Sequence, residues 1–148
     1  MIPDVDTLTR QQWMRVLARA GKRLNAYETE LKTAPYRVIR APEIGMTLVR
    51  GRIGSTGSAF NLGEMTVTRC VVQFADGRTG HSYVAGRDKR HAELAALADA
   101  HLQGPGQQQW QVRLIAPLAR AYEDQRTARA AEIATTQVEF FTLMRGED

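Results

Sequence analysis

The chain has 148 residues, 43% of them hydrophobic, with a net charge of +4 and one cysteine, Cys70. This length suits one domain, which we place over residues 1–148, and a lone cysteine excludes an internal disulfide and a cysteine-rich zinc site. No segment approaches the roughly 18 consecutive apolar residues of a membrane helix, and residues 1–6 lack the basic-then-apolar pattern of a secretion signal. We therefore expect a cytoplasmic protein with no membrane contact.

The positive charge is concentrated in the middle of the chain. Residues 36–90 contain nine Lys or Arg against four Asp or Glu, a balance of +5, whereas the rest of the chain sums to −1. Such an excess attracts an anionic ligand or an acidic partner surface, although scattered solvated arginines would give the same count. The basic residues are rarely interleaved with aromatics and form no recognisable nucleic-acid module, so binding of nucleic acid is not favoured.

The first segments are helical in pattern. Thr9 and Gln12 have the spacing of a capping box, which predicts a helix from about Arg10. Gly21 is expected to end or loosen this helix. A second short helical stretch then runs through Tyr27 to Leu31 and ends before Pro35.

The middle of the chain predicts an antiparallel sheet. Short β-prone runs between residues 38 and 53 are broken by Pro42 and Gly45. Two further strands, Met65 to Phe74 and Thr79 to Val84, are joined by a turn in which Asp-Gly is a strong hairpin signal.

Helical periodicity returns from Asp88 and ends at residues 104–106. A longer, Ala- and Arg-rich helix is predicted from Leu118 to about Thr135, and the run from Gln137 to Met144 is predicted as a final strand. These elements together indicate an α+β fold, a single domain with an antiparallel β-sheet packed with three main helices.

The densest cluster of polar chemistry lies where the last sheet strand meets the following helix. Its candidate residues for an anion, a substrate or a partner contact are Arg87, Asp88, Lys89, His91 and Glu93. With Asp88 as N-cap, the free N–H groups of the helix start and the adjacent cations would favour a phosphate or phosphonate. The alternative is that Asp88 only caps the helix, His91 lies at the edge of its apolar face and the cations are solvated.

A glycine-rich loop is the other candidate. Gly54, Ser55, Thr56 and Gly57 could cradle a phosphate through backbone N–H groups, but the Gly-Lys-Ser/Thr of a nucleotide-binding loop is missing and a hairpin loop is favoured. The three histidines are ten residues apart, without a short ligand pair, so we expect no metal site.

Several separated motifs, in one order, resemble the PhnG family of carbon-phosphorus lyase subunits. They cover nearly the whole chain, from about Arg10 to Gly146. The matching segments are Gly54-Ser55-Thr56-Gly57 through Phe60 and Gly63, Thr66-x-Thr68-Arg69, Gly86-Arg87-Asp88-Lys89-x-His91-Ala92-Glu93, Ile115-Ala116-Pro117-Leu118, and Phe140-Phe141-Thr142-Leu143-Met144-Arg145-Gly146.

The resemblance implies a subunit of a complex with PhnH, PhnI and PhnJ. In that family, a phosphonate displaces adenine from MgATP at the ribose, giving ribose 1-phosphonate 5-triphosphate. The resemblance implies that PhnI carries this chemistry, and that the carbon-phosphorus cleavage belongs to PhnJ and its iron-sulfur cluster. We expect MgATP as a substrate of the complex and no cofactor bound by this chain alone.

Two roles are compatible with the resemblance, and the catalytic residues are not identified. In the first role, Arg69 joins the cluster at residues 87–93 in offsetting the negative charge of the reactants. In the second, the chain is a noncatalytic assembly module, with Phe140, Phe141 and Arg145 at the interface. An isolated chain could also form a homodimer.

Overall fold

The fold, described for residues 8–52 and 59–146 in a computed structural model, combines a three-stranded antiparallel sheet with helices before and after it. The elements in chain order are α1 (Arg10–Arg19), a 3-10 segment (Gly21–Tyr27), α2 (Glu28–Leu31), β1 (Tyr36–Arg52), β2 (Ala59–Phe74), β3 (Thr79–Ala85), α3 (Lys89–Leu102), α4 (Gln107–Trp110), a π-helical turn (Gln111–Ile115) and α5 (Ala116–Gly146). The predicted α+β class is confirmed. None of the helices in this described part is long and apolar enough to span a bilayer.

Helix α1 begins at the predicted capping box. The Thr9 hydroxyl accepts a hydrogen bond from the Gln12 N–H at 3.3 Å, and the Gln12 side chain accepts one from the Thr9 N–H at 2.9 Å. These reciprocal bonds satisfy two donors at the helix start. The helix ends before Gly21, whose positive φ of 59° is a conformation that glycine adopts without steric cost.

The sheet has the order β1-β2-β3. The predicted hairpin between β2 and β3 is confirmed, with Phe74 N–H donating to the Arg78 carbonyl at 2.8 Å across the Asp-Gly turn. Strand β1 differs from the prediction, because Pro42 and Gly45 do not end it. Its pairing with β2 shifts register between Val38 and Arg40 and again before Glu43, and Pro42 lies at this irregularity on an edge strand, where a missing N–H is tolerated.

Helix α3 is the centre of the core. Nearly all its residues from His91 to Leu102 are buried, and it packs against all three strands, α1, α2 and α4. Its alanines allow close approach to the sheet. At Gly80 of β3, an added Cβ would lie 1.9 Å from the Ala96 carbonyl oxygen, so glycine is the residue that fits this contact.

The C-terminal strand predicted for residues 137–144 is wrong. These residues continue α5, which runs through Gly146 without interruption. Extension costs little once a helix has formed, and no Gly or Pro occurs between Leu118 and Arg145 to stop it. At 1.5 Å per residue, its 31 residues span roughly 46 Å, and all residues from 123 to 140 are exposed.

Candidate anion or partner site at the start of α3

The turn between β3 and α3 positions the predicted cluster. Gly86 adopts a φ of +97° and donates its N–H to the Thr66 carbonyl at 2.9 Å, while its own carbonyl accepts from the Thr68 hydroxyl at 2.7 Å. Asp88 is the N-cap, as predicted, and its Oδ1 atom accepts from the His91 N–H at 3.0 Å. The turn before α3 is therefore held in place by two hydrogen bonds to β2.

Arg87 and Lys89 flank this cap with exposed side chains. No ion pair involves either of them among the side chains that the structure describes in residues 8–52 and 59–146. Because the first N–H groups of a helix lack intrahelical acceptors and carry partial positive charge, this end of α3 attracts anions. Two free cations and a helix start thus lie together.

A shallow cavity of about 200 Å³ lies beside the cap. Its lining residues are Lys32, Pro42, Lys89, Arg90, Glu93 and Leu94. Lys89 and Glu93 were predicted from the sequence as site residues. Lys32 was missed, because it follows the end of α2, far away in sequence, and only the packing of α2 against α3 reveals it.

The other charges around the cavity are paired. Lys32 bonds Glu28 at 3.0 Å and lies 3.7 Å from Glu93. Arg90 bonds the second oxygen of Glu28, and the Tyr36 hydroxyl donates to Glu93 at 2.9 Å. These contacts join α2, β1 and α3 into one polar network with two cations and two carboxylates.

The pKa shifts of the network agree with this pairing. Hydrogen bonds from Arg90 and Lys32 lower the pKa of Glu28, and the bond to Glu28 raises the pKa of Lys32. Burial, followed by the hydrogen bond to Glu93, raises the pKa of Tyr36. The network is therefore internally neutral, and the excess positive charge at the site comes from Arg87 and Lys89, offset in part by the Asp88 carboxylate.

His91 is separated from these cations by its burial. Its side chain is only 4% exposed, and its Nε2 atom lies 2.8 Å from the Leu17 carbonyl oxygen near the end of α1. Since a carbonyl only accepts, Nε2 carries the proton and donates. The position of His91 as third residue of the helix was predictable, whereas its contact with α1 depends on the tertiary fold.

Arg69 also lies apart from the start of α3. It projects from the sheet face opposite to the buried Thr68 and Cys70, pairs in register with Tyr83, and makes an ion pair with Glu43 at 3.6 Å. The structure therefore brings together Arg87, Asp88, Lys89 and Glu93 of the predicted set. The roles of all six residues stay predictions.

The remaining predicted site residues are in other parts of the chain. Gly54, Ser55, Thr56 and Gly57 lie outside the described residues. Phe140 is 60% exposed on α5; Phe141 and Arg145 belong to the same helix, but their side chains lie outside the described part. Within residues 8–52 and 59–146, no group of three or more potential ligands is placed to hold a metal ion.

Comparison with known proteins places these elements in one family. The family model for PhnG, described as a phosphonate metabolism protein, matches residues 8–146. The chain belongs to the PhnG family. The match runs from the residue before the Thr9 cap to the last residue of α5, so the start of α3 and the whole of α5 lie inside the family domain.

A curated relative supports the same assignment. The protein named alpha-D-ribose 1-methylphosphonate 5-triphosphate synthase subunit PhnG, from Rhizobium meliloti (strain 1021), is 38% identical to this chain over 150 residues. The alignment covers 98% of this chain and 94% of the relative. The resemblance drawn from the sequence motifs is confirmed, and the relative is named as a subunit of a synthase complex.

Proposed function

We propose that this PhnG-family chain is a subunit of an alpha-D-ribose 1-methylphosphonate 5-triphosphate synthase in phosphonate catabolism. The observation that supports the proposal is the 38% identity to the relative of that name over nearly the full length of both chains. The complex transfers the ribose 5-triphosphate of MgATP to methylphosphonate with release of adenine, in the cytoplasm. The other subunits are PhnH, PhnI and PhnJ, and this chain binds no cofactor by itself.

The contribution of this chain is electrostatic. The reaction brings a triphosphate and a phosphonate together, so cations that offset their mutual repulsion lower its barrier. Arg87 and Lys89 are exposed beside the start of α3, whereas Lys32 and Arg90 are neutralised by Glu28 and Glu93. At the start of α3, Arg87 and Lys89 are therefore the cations that no ion pair neutralises among the described side chains.

Reconstitution tests the assignment. Purified PhnH, PhnI and PhnJ are mixed with MgATP and methylphosphonate, and adenine is measured with and without this chain. Adenine release should depend on this chain. Equal release in its absence would reject the proposed function.

The double variant Arg87→Ala/Lys89→Ala tests the electrostatic role. We expect adenine release to fall by about tenfold or more while the complex still assembles, since each lost charge contact to an anion is worth about 1 kcal/mol or more. Arg23→Ala, which removes an exposed cation from the 3-10 segment, is the matched control and should have no effect. Normal turnover in the double variant would show that the cluster has no site role. His91→Ala would be harder to interpret, because it removes a buried bond to α1.

The second candidate function is that of a noncatalytic assembly module. Its supporting observation is the exposed length of α5, where Ile133, Val138 and Phe140 are each more than half exposed. Phe140→Asp should then abolish co-purification with the other subunits, whereas Thr142→Asp, an exposed position of the same helix, should not. In that case Arg87→Ala/Lys89→Ala leaves the activity of the assembled complex unchanged.

A further inference from the structure

The hairpin of β1 and β2 extends beyond the third strand. Pairing of β2 with β3 ends at Val67 and Ala85, while β1 and β2 remain paired as far as Arg52 and Ala59. Past Gly45, the partner of Val67 on β1, the sheet therefore has two strands in the part of the chain that the structure describes. We call this part, residues 46–52 and 59–66, the hairpin arm.

An apolar stripe runs along β1 onto this arm. Ile44, Met46 and Leu48 alternate along the strand, so they share one face, and they are 40%, 60% and 52% exposed. Ile44 pairs with the buried Thr68, which lies on the sheet face that packs against the core. The stripe thus lies on the core-facing side of the sheet, beyond the part of that side that the core buries.

The cross-strand neighbours of the stripe leave it uncovered. Met46 is opposite Thr66, whose hydroxyl lies 3.5 Å from the Met46 sulfur, and Leu48 is opposite Glu64. A two-stranded hairpin is at best marginally stable in water, and an exposed edge with large apolar side chains invites association. The exposed apolar side chains of the arm are therefore typical of a surface that another polypeptide covers.

Charge decides which polypeptide fits. The hairpin arm contains two arginines, Arg50 and Arg52, against one glutamate, Glu64, a balance of +1. A second copy would bring the same positive charge to the contact, whereas an acidic partner would be attracted. We propose that the hairpin arm docks a different subunit, through an apolar surface on that subunit flanked by acidic residues. The inference rests on the proposed function, because it assumes that the chain works inside a complex.

The test compares two glutamate substitutions at adjacent positions of β1. Met46→Glu places a charge in the stripe, and Thr47→Glu places the same charge on the opposite face of the same strand. Each tagged full-length variant is co-expressed with PhnH, PhnI and PhnJ, and the captured subunits are quantified. We expect Met46→Glu to reduce capture about tenfold or more, as for an interface anchor, and Thr47→Glu and Met46→Leu to retain it. Circular dichroism of each purified variant checks that the fold is unchanged.

The outcomes separate this inference from the proposed function. If the wild-type chain is captured and Met46→Glu is captured equally well, the docking role of the arm is rejected and the proposed function stands. If the wild-type chain captures no subunit and adenine release does not need it, both are rejected. If light scattering shows a wild-type dimer that Met46→Glu converts to a monomer, the occupant is a second copy and the proposal of a different subunit is overturned.

Discussion

The indole N–H of Trp13 donates a hydrogen bond to the Oδ1 atom of Asp99 at 2.8 Å, inside the core between α1 and α3. The Asp99 carboxylate is fully buried, and it also accepts from the Arg10 guanidinium at 2.8 Å and from the His81 backbone N–H at 2.9 Å. Burying a carboxylate is costly unless it is paired and hydrogen-bonded. Asp99 meets this condition, and its hydrogen bonds connect both α1 and the edge strand β3 to α3.

Asp99→Asn should therefore destabilise the protein strongly. The amide keeps the shape but loses the charge and half of the acceptor capacity, which leaves Arg10 and one N–H donor without a full partner. We expect a loss of about 2 to 4 kcal/mol in the free energy of unfolding, measured with urea. Asp124→Asn, at an exposed position of α5, should change it by less than about 0.5 kcal/mol. Equal effects of the two substitutions would contradict the role of Asp99.

Gly80→Ala tests the closest contact between the sheet and α3. The new methyl group would overlap the Ala96 carbonyl oxygen, so the helix must move, at a cost of about 1 to 3 kcal/mol or more. The matched control is Gly45→Ala in β1, where no atom of residues 8–52 or 59–146 lies within 4 Å of the added Cβ. Thermal unfolding should show a clear fall in Tm for Gly80→Ala only. A Tm equal to that of the control would show that the contact is loose.

His101 predicts how stability depends on pH. Burial lowers its pKa, while its hydrogen bond to the Leu31 carbonyl acts in the opposite direction. The folded protein thus keeps the ring neutral at pH values where the unfolded chain, with an ordinary pKa of about 6.5, already takes up a proton. The contribution of His101 to the free energy of unfolding is complete above about pH 6.5 and is lost progressively as the pH falls below that value.

This dependence is measurable by urea unfolding between pH 7.5 and pH 5. His101→Gln retains a donor for the Leu31 carbonyl but does not titrate. Its free energy of unfolding should therefore fall less than that of the wild type over that range. The same substitution at the exposed His81 serves as the matched control. A variant whose pH profile parallels the wild type would rule out His101 as the cause.

Cys70 should be inert in the folded protein. Burial, with a smaller contribution from the nearby Glu93 carboxylate, raises the pKa of its thiol to about 11. At pH 8 the reactive thiolate is scarce as well as inaccessible, so labelling with a disulfide reagent should be slower by on the order of 100-fold or more than in guanidinium. Comparable labelling rates in the two states would mean that the β2 core opens readily.

Local signals predicted the elements that depend on neighbouring residues. The Thr9 capping box, the Asp-Gly hairpin and the Asp88 cap each involve residues a few positions apart, and all three are present. The final strand was wrong because Val138, Phe140 and Thr142 favour strands by composition, whereas propagation of an existing helix dominates over such preferences.

The candidate site was predictable only in part for a related reason. The positions of Arg87, Asp88 and Lys89 follow from one turn and one helix start. The neutralisation of Arg90 by Glu28 and the burial of His91 against Leu17 join residues more than 60 positions apart. Such contacts leave no periodicity in the sequence, so only the assembled fold reveals which cations remain free.

The enclosure of α3 has a consequence for folding. Helix α3 is buried between the N-terminal helices and the sheet. Its packing is therefore complete only when both have folded, because each of them buries part of its surface. Residues 8–31 and the strands should therefore melt in a single cooperative transition, and neither half should persist as a stable fragment.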